Sequence, residues 1–318
     1  MKNTERPKYP QYEETQPINP VAVFWITFVH LGALAAIPFF TWKAFIMCIV
    51  LLFTVSPIGV TLTYHRLHSH RALKAPKWFE YILTTIGTLS AQGPVLTWVA
   101  GHRYHHQHSD KATDLHTPNR GGFWGAHLGA IVRHSELFAN EENWKKYVPD
   151  LYNDRYYQFL SKYSLQISFV PLFFLYWWGG ISFVMWGGFV RVMLMLHFTW
   201  FVNSATHMWG YRNFNTPDRS TNNWWVALLA AGEGWHNNHH AQPSSAAHGM
   251  RWFEFDLTYL IIRIFEKLGL VYDVRRPNLT FLTRKKAGTT VVSAGEWDAQ
   301  PPGLSPKPLP ATEIAAGS

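Results

Sequence analysis

The sequence predicts an all-α integral membrane protein, in which four transmembrane helices form two hairpins attached to a cytoplasmic helical cap rich in histidine. The first observation is compositional: 47% of the 318 residues are hydrophobic and 16% are aromatic, yet the mean hydropathy is near neutral at -0.10. Long apolar segments must therefore alternate with strongly polar ones. Secondly, four segments approach the roughly 20 apolar residues needed to cross a bilayer. Thirdly, nine of the seventeen histidines form four tight groups near those segments.

The candidate membrane spans are residues 21–40, 44–63, 165–181 and 183–202. Short connections at residues 41–43 and around 178–188 join them into two hairpins. Basic residues occur in the amino-terminal tail and in the middle section between the hairpins: Lys2, Arg6, Lys8, Arg71, Lys74, Lys77, Lys145, Lys146 and Lys162. Because positively charged loops tend to stay on the cytoplasmic side, we expect both termini and the middle section to be cytoplasmic.

Two further apolar stretches lie outside the spans. Residues 78–99 are interrupted by Gln92-Gly93-Pro94 and must begin and end on one side of the membrane if the flanking histidines are to meet, so we expect a re-entrant or surface helix. Residues 252–268 have apolar side chains at helical spacing, which predicts an amphipathic helix on the membrane surface or packed on the cap.

The chain divides into three parts. Residues 1–19 are polar and predict a cytoplasmic amino-terminal segment without a signal peptide. Residues 20–278 form the membrane domain. Residues 279–318, rich in Gly, Ala, Pro, Ser and Thr from Lys285 onward, predict a disordered tail because they have too little apolar surface to bury.

Charge and cysteine content narrow the function. The net charge is +8 and the pI is about 9.5, but the basic residues are spread through loops rather than gathered in a stripe, which argues against nucleic-acid binding. The single cysteine, Cys48, lies in an apolar run and excludes an intramolecular disulfide, a cysteine zinc site and a cysteine-ligated cluster. Any metal must therefore be held by nitrogen and oxygen.

The grouped histidines have the spacing of metal ligands. They are His65, His70, His102, His105, His106, His207, His236, His239 and His240. The second and fourth groups follow an i, i+3, i+4 pattern that places three imidazoles on one helix face. The first pair is five residues apart, a rotation of roughly 500°, and converges only if the helix ends or bends. His207 follows Asn203 at i+4, so both can face one cavity.

Nine imidazoles exceed what one ion can bind. Two ions with four or five nitrogens each would use them all and leave positions open for water, oxygen or substrate. Imidazole suits iron, zinc, copper and nickel alike. Asp110 and Asp114 follow the second group and could accept hydrogen bonds from ligand N–H groups, or could be exposed helix caps.

The remaining eight histidines fall into two sets. His68, His108 and His116 neighbour the groups and could be partners of ligands. We expect the others to be structural: His30, His127, His134, His197 and His248.

The segments HRLHSH at 65–70, HRYHH at 102–106, NSATH at 203–207 and EGWHNNHH at 233–240 resemble the membrane fatty-acyl desaturases of the Δ9, stearoyl-CoA desaturase-like type. The resemblance in order and spacing runs from about residue 20 to 275. Animal acyl-CoA enzymes generally have Asn-Asp after the glutamine and Arg-Asp before the second histidine group. Here the sequences are Gln92-Gly93-Pro94 and Ala100-Gly101-His102, which are more similar to the bacterial branch. His68 stands where many relatives carry Trp.

The resemblance implies two iron ions ligated by the nine histidines, with Asn203 reaching one iron through a water, and O2 as co-substrate. It also implies a bilayer-embedded enzyme that acts on a saturated fatty-acyl chain, with Gln92, Trp98 and Thr199 lining the bend of an acyl tunnel. Ile49 and Phe53, three to four turns before His65, are expected at the closed end of that tunnel. Since the sequence has no cysteine cluster, nucleotide-binding glycine loop or haem segment, a separate ferredoxin or cytochrome-like electron donor is expected.

The expected activity is O2-dependent insertion of a cis double bond near carbon nine. A hydroxylase or other monooxygenase of the same histidine-box superfamily is the alternative, because the same oxidant can insert oxygen. A membrane metal carrier would place polar groups near the middle of its spans, whereas these histidines cluster at the ends. The acyl carrier, whether coenzyme A, carrier protein or glycerolipid, is left open by the sequence.

Overall fold

The computed structural model describes residues 17–280 except 112–113, 115, 120 and 135–137, together with the backbone but not the side chain of His134. Over these residues the protein is helical and has no β-strand, which confirms the predicted all-α class. The helices are α1 (Pro20–Ala35), α2 (Trp42–Val55), α3 (Lys77–Thr88), α4 (Val95–His108), α5 (Gly122–Trp124), α6 (Ala130–His134), α7 (Glu141–Tyr147), α8 (Pro149–Tyr152), α9 (Arg155–Lys162), α10 (Ser164–Phe183), α11 (Arg191–Ser204), α12 (Trp224–Leu229), α13 (His236–Ala241) and α14 (Leu257–Lys267). The predicted tail lies almost entirely outside the described residues, as does most of the predicted amino-terminal segment.

Two continuous helical runs are long and apolar enough to cross a membrane. One covers Trp42–Ser69 with 28 residues, the other covers Ser164–His207 with 44 residues, and α1 is a shorter apolar helix. The longer run breaks at Gly180, where φ is 65° and ψ is -158°, a conformation that only glycine adopts readily. It contains two of the predicted spans, and the arrangement of four spans stays a prediction.

The two arms of the longer run pack against each other. A Cβ atom built on Gly188 would lie 2.6 Å from Leu172, and one built on Gly187 would lie 3.1 Å from Leu175. Because the earlier residue of the first arm meets the later residue of the second, the arms are antiparallel. Gly180 therefore marks the turn of a helical hairpin.

The helix that begins as α2 changes its winding at Ser56. Residues Ser56–Ser69 form a π-helix, with Pro57 at its start. Proline has no N–H and cannot continue the i→i-4 bonding of an α-helix. The side chains of Thr63 and Ser69 each donate to a carbonyl five residues earlier. The wider winding persists to the end of the helix, where the first pair of grouped histidines lies.

The apolar stretch 78–99 contains parts of two helices, α3 and α4, rather than the single helix expected. They are separated by residues 89–94, in which Gly93 has φ of 98°. Pro94 is the extended residue immediately before α4, with φ of -63° and ψ of 139°. The predicted interruption at Gln92-Gly93-Pro94 is thus a complete break between helices.

The predicted helix 252–268 is also shorter than expected. It starts at Leu257 because Asp256 caps it, its side chain accepting from the backbone N–H of Tyr259 at 2.9 Å. One face of α14 packs against α3, where the Phe265 ring lies 5.3 Å from that of Phe79. The opposite face leaves Leu260 and Ile264 exposed. The helix therefore packs against α3 on one side and turns an apolar face outward on the other, and its placement on a cytoplasmic cap or on a membrane surface stays a prediction.

Candidate metal centre

The π-helical winding brings His65 and His70 together. The backbone N–H of His70 donates to the carbonyl of His65 at 3.1 Å, and the two ring centroids are 4.8 Å apart. In a helix with i→i+5 bonds, residues five apart lie nearly above one another. This π-turn, just before the helix ends at Ser69, is how the five-residue spacing converges.

The nine grouped histidines form two clusters whose donor atoms lie within 4.8 Å of one another. The five-histidine cluster contains His65, His70, His102, His106 and His239. The four-histidine cluster contains His105, His207, His236 and His240. Both α4 and α13 contribute to each cluster, because the i, i+4 pairs of each helix face one cluster and the intervening residue faces the other.

The ring nitrogens within each cluster have the spacing of ligands around one ion. The Nε2 atom of His239 lies 3.1 Å from that of His65 and 2.9 Å from that of His106. In the four-histidine cluster, the Nε2 atoms of His207 and His236 are 3.0 Å apart. Two nitrogens bound at right angles to one ion, each about 2.1 Å away, would be about 3.0 Å apart. The clusters therefore fit one metal ion each.

Three aspartates accept hydrogen bonds from histidines of the four-histidine cluster. Asp114 accepts from Nδ1 of His105 at 2.9 Å, and Asp110 accepts from Nδ1 of His207 at 3.0 Å. Asp218 accepts from Nδ1 of His240 at 2.8 Å. Each bond keeps the ring proton on Nδ1 and leaves the Nε2 lone pair available to a metal.

These carboxylates are ionised despite their burial. Burial alone would raise the pKa of Asp110 and Asp218, but the charge of the paired histidine and its hydrogen bond lower both values overall. The same balance with His105 holds the pKa of Asp114 below its ordinary value. The four-histidine cluster therefore lies among three negative charges.

Among the described residues, one carboxylate pairs with a histidine of the five-histidine cluster. Oε2 of Glu233 lies 2.6 Å from Nδ1 of His65. Its other oxygen, Oε1, accepts from Nε of Arg66 at 3.2 Å and from an Nη atom of Arg66 at 2.9 Å. The guanidinium neutralises part of the negative charge beside this cluster, so the two clusters differ in their electrostatic surroundings.

Four of the nine imidazoles are neutral at pH 7. Burial, and then the charge of neighbouring histidines, hold the pKa values of His102, His106, His236 and His239 well below 6.5. A neutral imidazole has the lone pair that a metal requires. Imidazole donors suit iron, zinc, copper and nickel, and the residues present fit two such metal ions.

A cleft of about 510 Å³, part of it open to solvent, adjoins both clusters, and Trp98, Thr199 and Asn203 line it. The Trp98 ring stacks on His102 at a centroid distance of 5.2 Å. Gln92 donates from Nε2 to the Thr199 hydroxyl at 2.8 Å. The structure thus brings together Gln92, Trp98 and Thr199, which the resemblance assigned to the tunnel bend.

The two residues expected at the closed end of a tunnel lie further from this cleft. Phe53 is half-buried and packs in an apolar cluster with Val60 and Met195. Ile49 is half-buried on the preceding turn. Neither is among the described residues that line the cleft.

Most of the other histidines form hydrogen bonds with residues outside the metal centre. His68 bonds to the Thr84 hydroxyl at 2.8 Å, and His108 donates to the carbonyl of Tyr104 at 2.9 Å. His30, His197 and His127 bond to one another in a chain, with N···N distances of 2.9 and 3.0 Å. His116 lies beside the second group, its ring 5.8 Å from that of His105.

Sequence reasoning missed three residues of the centre. Glu233 precedes His236 by three residues, and that proximity was a usable signal. Asp218 is 22 residues before His240 and no spacing pattern links them. His248 was expected to be structural, but its buried ring lies 4.3 Å from that of His239.

The chain is similar to proteins of known activity. A family model described as fatty acid desaturase matches residues 40–276. An sn-1 stearoyl-lipid 9-desaturase of Anabaena variabilis is 46% identical over 264 residues, which are 82% of this chain and 96% of the relative. An sn-2 palmitoyl-lipid 9-desaturase of Nostoc sp. (strain 36) is 41% identical, covering 79% and 90%. An acyl-CoA C20 Delta5-desaturase of Anemone leveillei is 40% identical, covering 82% and 84%.

Proposed function

The chain belongs to the fatty acid desaturase family, and from that premise we propose that it inserts a cis double bond at carbon nine of a saturated acyl chain bound to a glycerolipid. The observation that carries the proposal is the pair of imidazole clusters beside the cleft that Trp98 and Thr199 line. Its reaction takes two hydrogens from the chain and, with O2, two electrons and two protons, yields the double bond and two water molecules.

Two iron ions are the proposed cofactor. The five-histidine cluster would hold one and the four-histidine cluster the other, with Asn203 reaching one of them through a water. Bound iron would supply O2 activation and the oxidant that removes hydrogen from adjacent methylenes. Three aspartates and Glu233 would keep the tautomers of four ligands fixed, so that the Nε2 atoms of these four face a metal.

The residues along the cleft would hold the acyl chain. Trp98, stacked on His102, would form a wall beside the chain, and the bond between Gln92 and Thr199 would fix the bend opposite it. A bent path holds one carbon–carbon bond next to the metals and selects the cis geometry. The reacting methylenes are thereby chosen by position along the cleft.

The names of two of the three relatives support a lipid-bound substrate, whereas the Anemone relative is named an acyl-CoA desaturase. The Anabaena and Nostoc relatives, at 46% and 41% identity, are both lipid 9-desaturases. This chain also lacks the Asn-Asp and Arg-Asp pairs of the animal acyl-CoA enzymes. A glycerolipid in the bilayer would reach the cleft without coenzyme A.

A separate protein must supply the electrons. The single cysteine, Cys48, is buried in α2 and cannot build an electron-transfer cluster. We propose a ferredoxin or cytochrome-like donor that docks on the basic cytoplasmic surface.

The test is expression in a bacterium that lacks this route to unsaturated chains, together with a ferredoxin and its reductase. We expect a new cis Δ9 bond in glycerolipids, located by mass spectrometry, for the intact chain and none for His106→Ala, which removes a ligand. His108→Ala is the matched control on the same helix, and it should retain the product because the His108 ring bonds to the carbonyl of Tyr104 in its own helix and not to a grouped histidine. Hydroxylated chains would instead assign a monooxygenase, and products confined to the acyl-CoA pool would overturn the lipid carrier.

We further propose that the protein is multi-pass, with both termini and the metal centre in the cytoplasm. The basic residues of the middle section support this orientation. A membrane-impermeant maleimide should label Thr41→Cys in intact spheroplasts and should label Lys145→Cys only after the membrane is opened, both made in a Cys48→Ala background. Labelling of Lys145→Cys in intact spheroplasts would reverse the orientation.

A further inference from the structure

A tenth histidine is built into the wall of the five-histidine cluster. His248 lies between α13 and α14 and is 0% exposed. Its ring centroid is 4.3 Å from that of His239 and 5.3 Å from that of His65. No metal-ligand spacing in the sequence pointed to it, and the proposed function does not use it.

The backbone of His248 is held at both polar groups. Its N–H donates to Oδ2 of Asp256 at 2.8 Å, and its carbonyl accepts from Nδ2 of Asn238 at 2.8 Å. Asn238 belongs to α13, which carries metal-binding histidines, and Asp256 caps α14. The ring is therefore placed in a fixed position relative to the centre.

His248 shares one carboxylate oxygen with a ligand. Oε2 of Glu233 lies 3.2 Å from Nδ1 of His248 and 2.6 Å from Nδ1 of His65. Nδ1 of His248 is close to this oxygen but is not aligned for a hydrogen bond, and Nε2 also has no hydrogen-bond partner among the described residues. A buried imidazole nitrogen left without a partner is destabilising. A polar ring at this buried position is therefore expected to have a role that an apolar side chain could not perform.

We propose that His248 is a positioning residue of the metal centre, which holds Glu233 in the orientation that supports His65. The inference rests on the proposed function, because it requires a metal in the five-histidine cluster. Glu233 has three neighbours: Arg66 donates to its Oε1 atom, and the imidazoles of His65 and His248 lie beside its Oε2 atom. Each aspartate of the other cluster serves its own ligand, so the loss of His248 should affect only one of the two metals.

Metal retention is the test. Protein purified with iron is exposed to graded concentrations of an Fe2+ chelator, and iron per chain is measured. We expect the intact chain to start with two irons and His248→Ala to lose one of them at about a tenfold lower chelator concentration, while the second iron stays. His248→Asn should restore retention, because its amide nitrogen can replace Nδ1 beside Glu233.

Controls separate positioning from folding. His68→Ala removes another buried histidine, one that bonds to Thr84, and should keep both irons. His248→Leu fills the space without a donor and should behave as His248→Ala, which covers the case of an alanine variant that does not fold. Equal retention by the intact chain and both donor-free variants would overturn the proposal, as would failure of His248→Asn to restore it. An intact chain holding fewer than two irons would count against the proposed di-iron function instead.

Discussion

Replacing Arg66 with methionine should lower the free energy of unfolding by about 3–5 kcal/mol, the usual cost of removing one partner from a buried charge pair. The guanidinium is 0% exposed. Its five N–H groups are all used, two on Asp256, two on Glu233 and one on the carbonyl of Ala246. Methionine would fill the space but leave two buried carboxylates without their cation.

This arginine joins parts of the chain that are far apart in sequence. It lies on the π-helix, whereas Glu233 precedes α13 and Asp256 caps α14. Arg66→Lys should recover only part of the loss, because an ammonium has three donors and cannot form the two-pronged bond that the guanidinium makes with Asp256. Chemical unfolding in detergent, followed by tryptophan fluorescence, measures both variants.

An exposed ion pair gives the control. Lys74 and Asp273 also pair, at 2.8 Å, but their side chains are 64% and 61% exposed. Lys74→Met should leave the free energy of unfolding nearly unchanged, because an exposed ion pair contributes little to stability. If Arg66→Met cost no more than this, the network around Glu233 would be incidental to stability.

The sequence predicted which nine histidines form the metal centre, but it did not predict how they are shared between the two clusters. The i, i+3, i+4 pattern places three imidazoles on one face, and a single ion would have used all three. In the structure His105 and His240 join one cluster while His106 and His239 join the other. The division depends on where α4 and α13 lie relative to each other, which is tertiary information that local spacing does not contain.

Departures from the predicted elements have local causes. The π-helix begins at Ser56, next to Pro57, and its winding aligns residues five apart, which α-helical geometry does not. Asp256 caps α14 and shortens it, although the apolar spacing continues upstream. His248 escaped notice because it is eight residues beyond His240, in a segment without periodic structure, and its relation to Glu233 exists only after folding.

Asp218→Asn should weaken iron binding in the four-histidine cluster by about 10–100-fold, because outer partners of ligating histidines usually contribute that much. Oδ2 of Asp218 accepts from Nδ1 of His240 at 2.8 Å, and Oδ1 accepts from the Thr216 hydroxyl at 2.8 Å and from the backbone N–H of Ser220 at 3.0 Å. Asparagine can keep its oxygen toward Thr216 and Ser220, and its amide nitrogen then faces His240.

That amide donates to Nδ1 of His240 and shifts the ring proton to Nε2, the atom that would bind the metal. The substitution is close to isosteric, so a large effect would arise from the tautomer rather than from packing. In chelator titrations Asp218→Asn should release one iron early and keep the other, whereas the exposed Asp273→Asn should match the intact chain. Release of both irons together would mean that the two clusters bind metal as one unit, and unchanged retention would mean that Asp218 does not control His240.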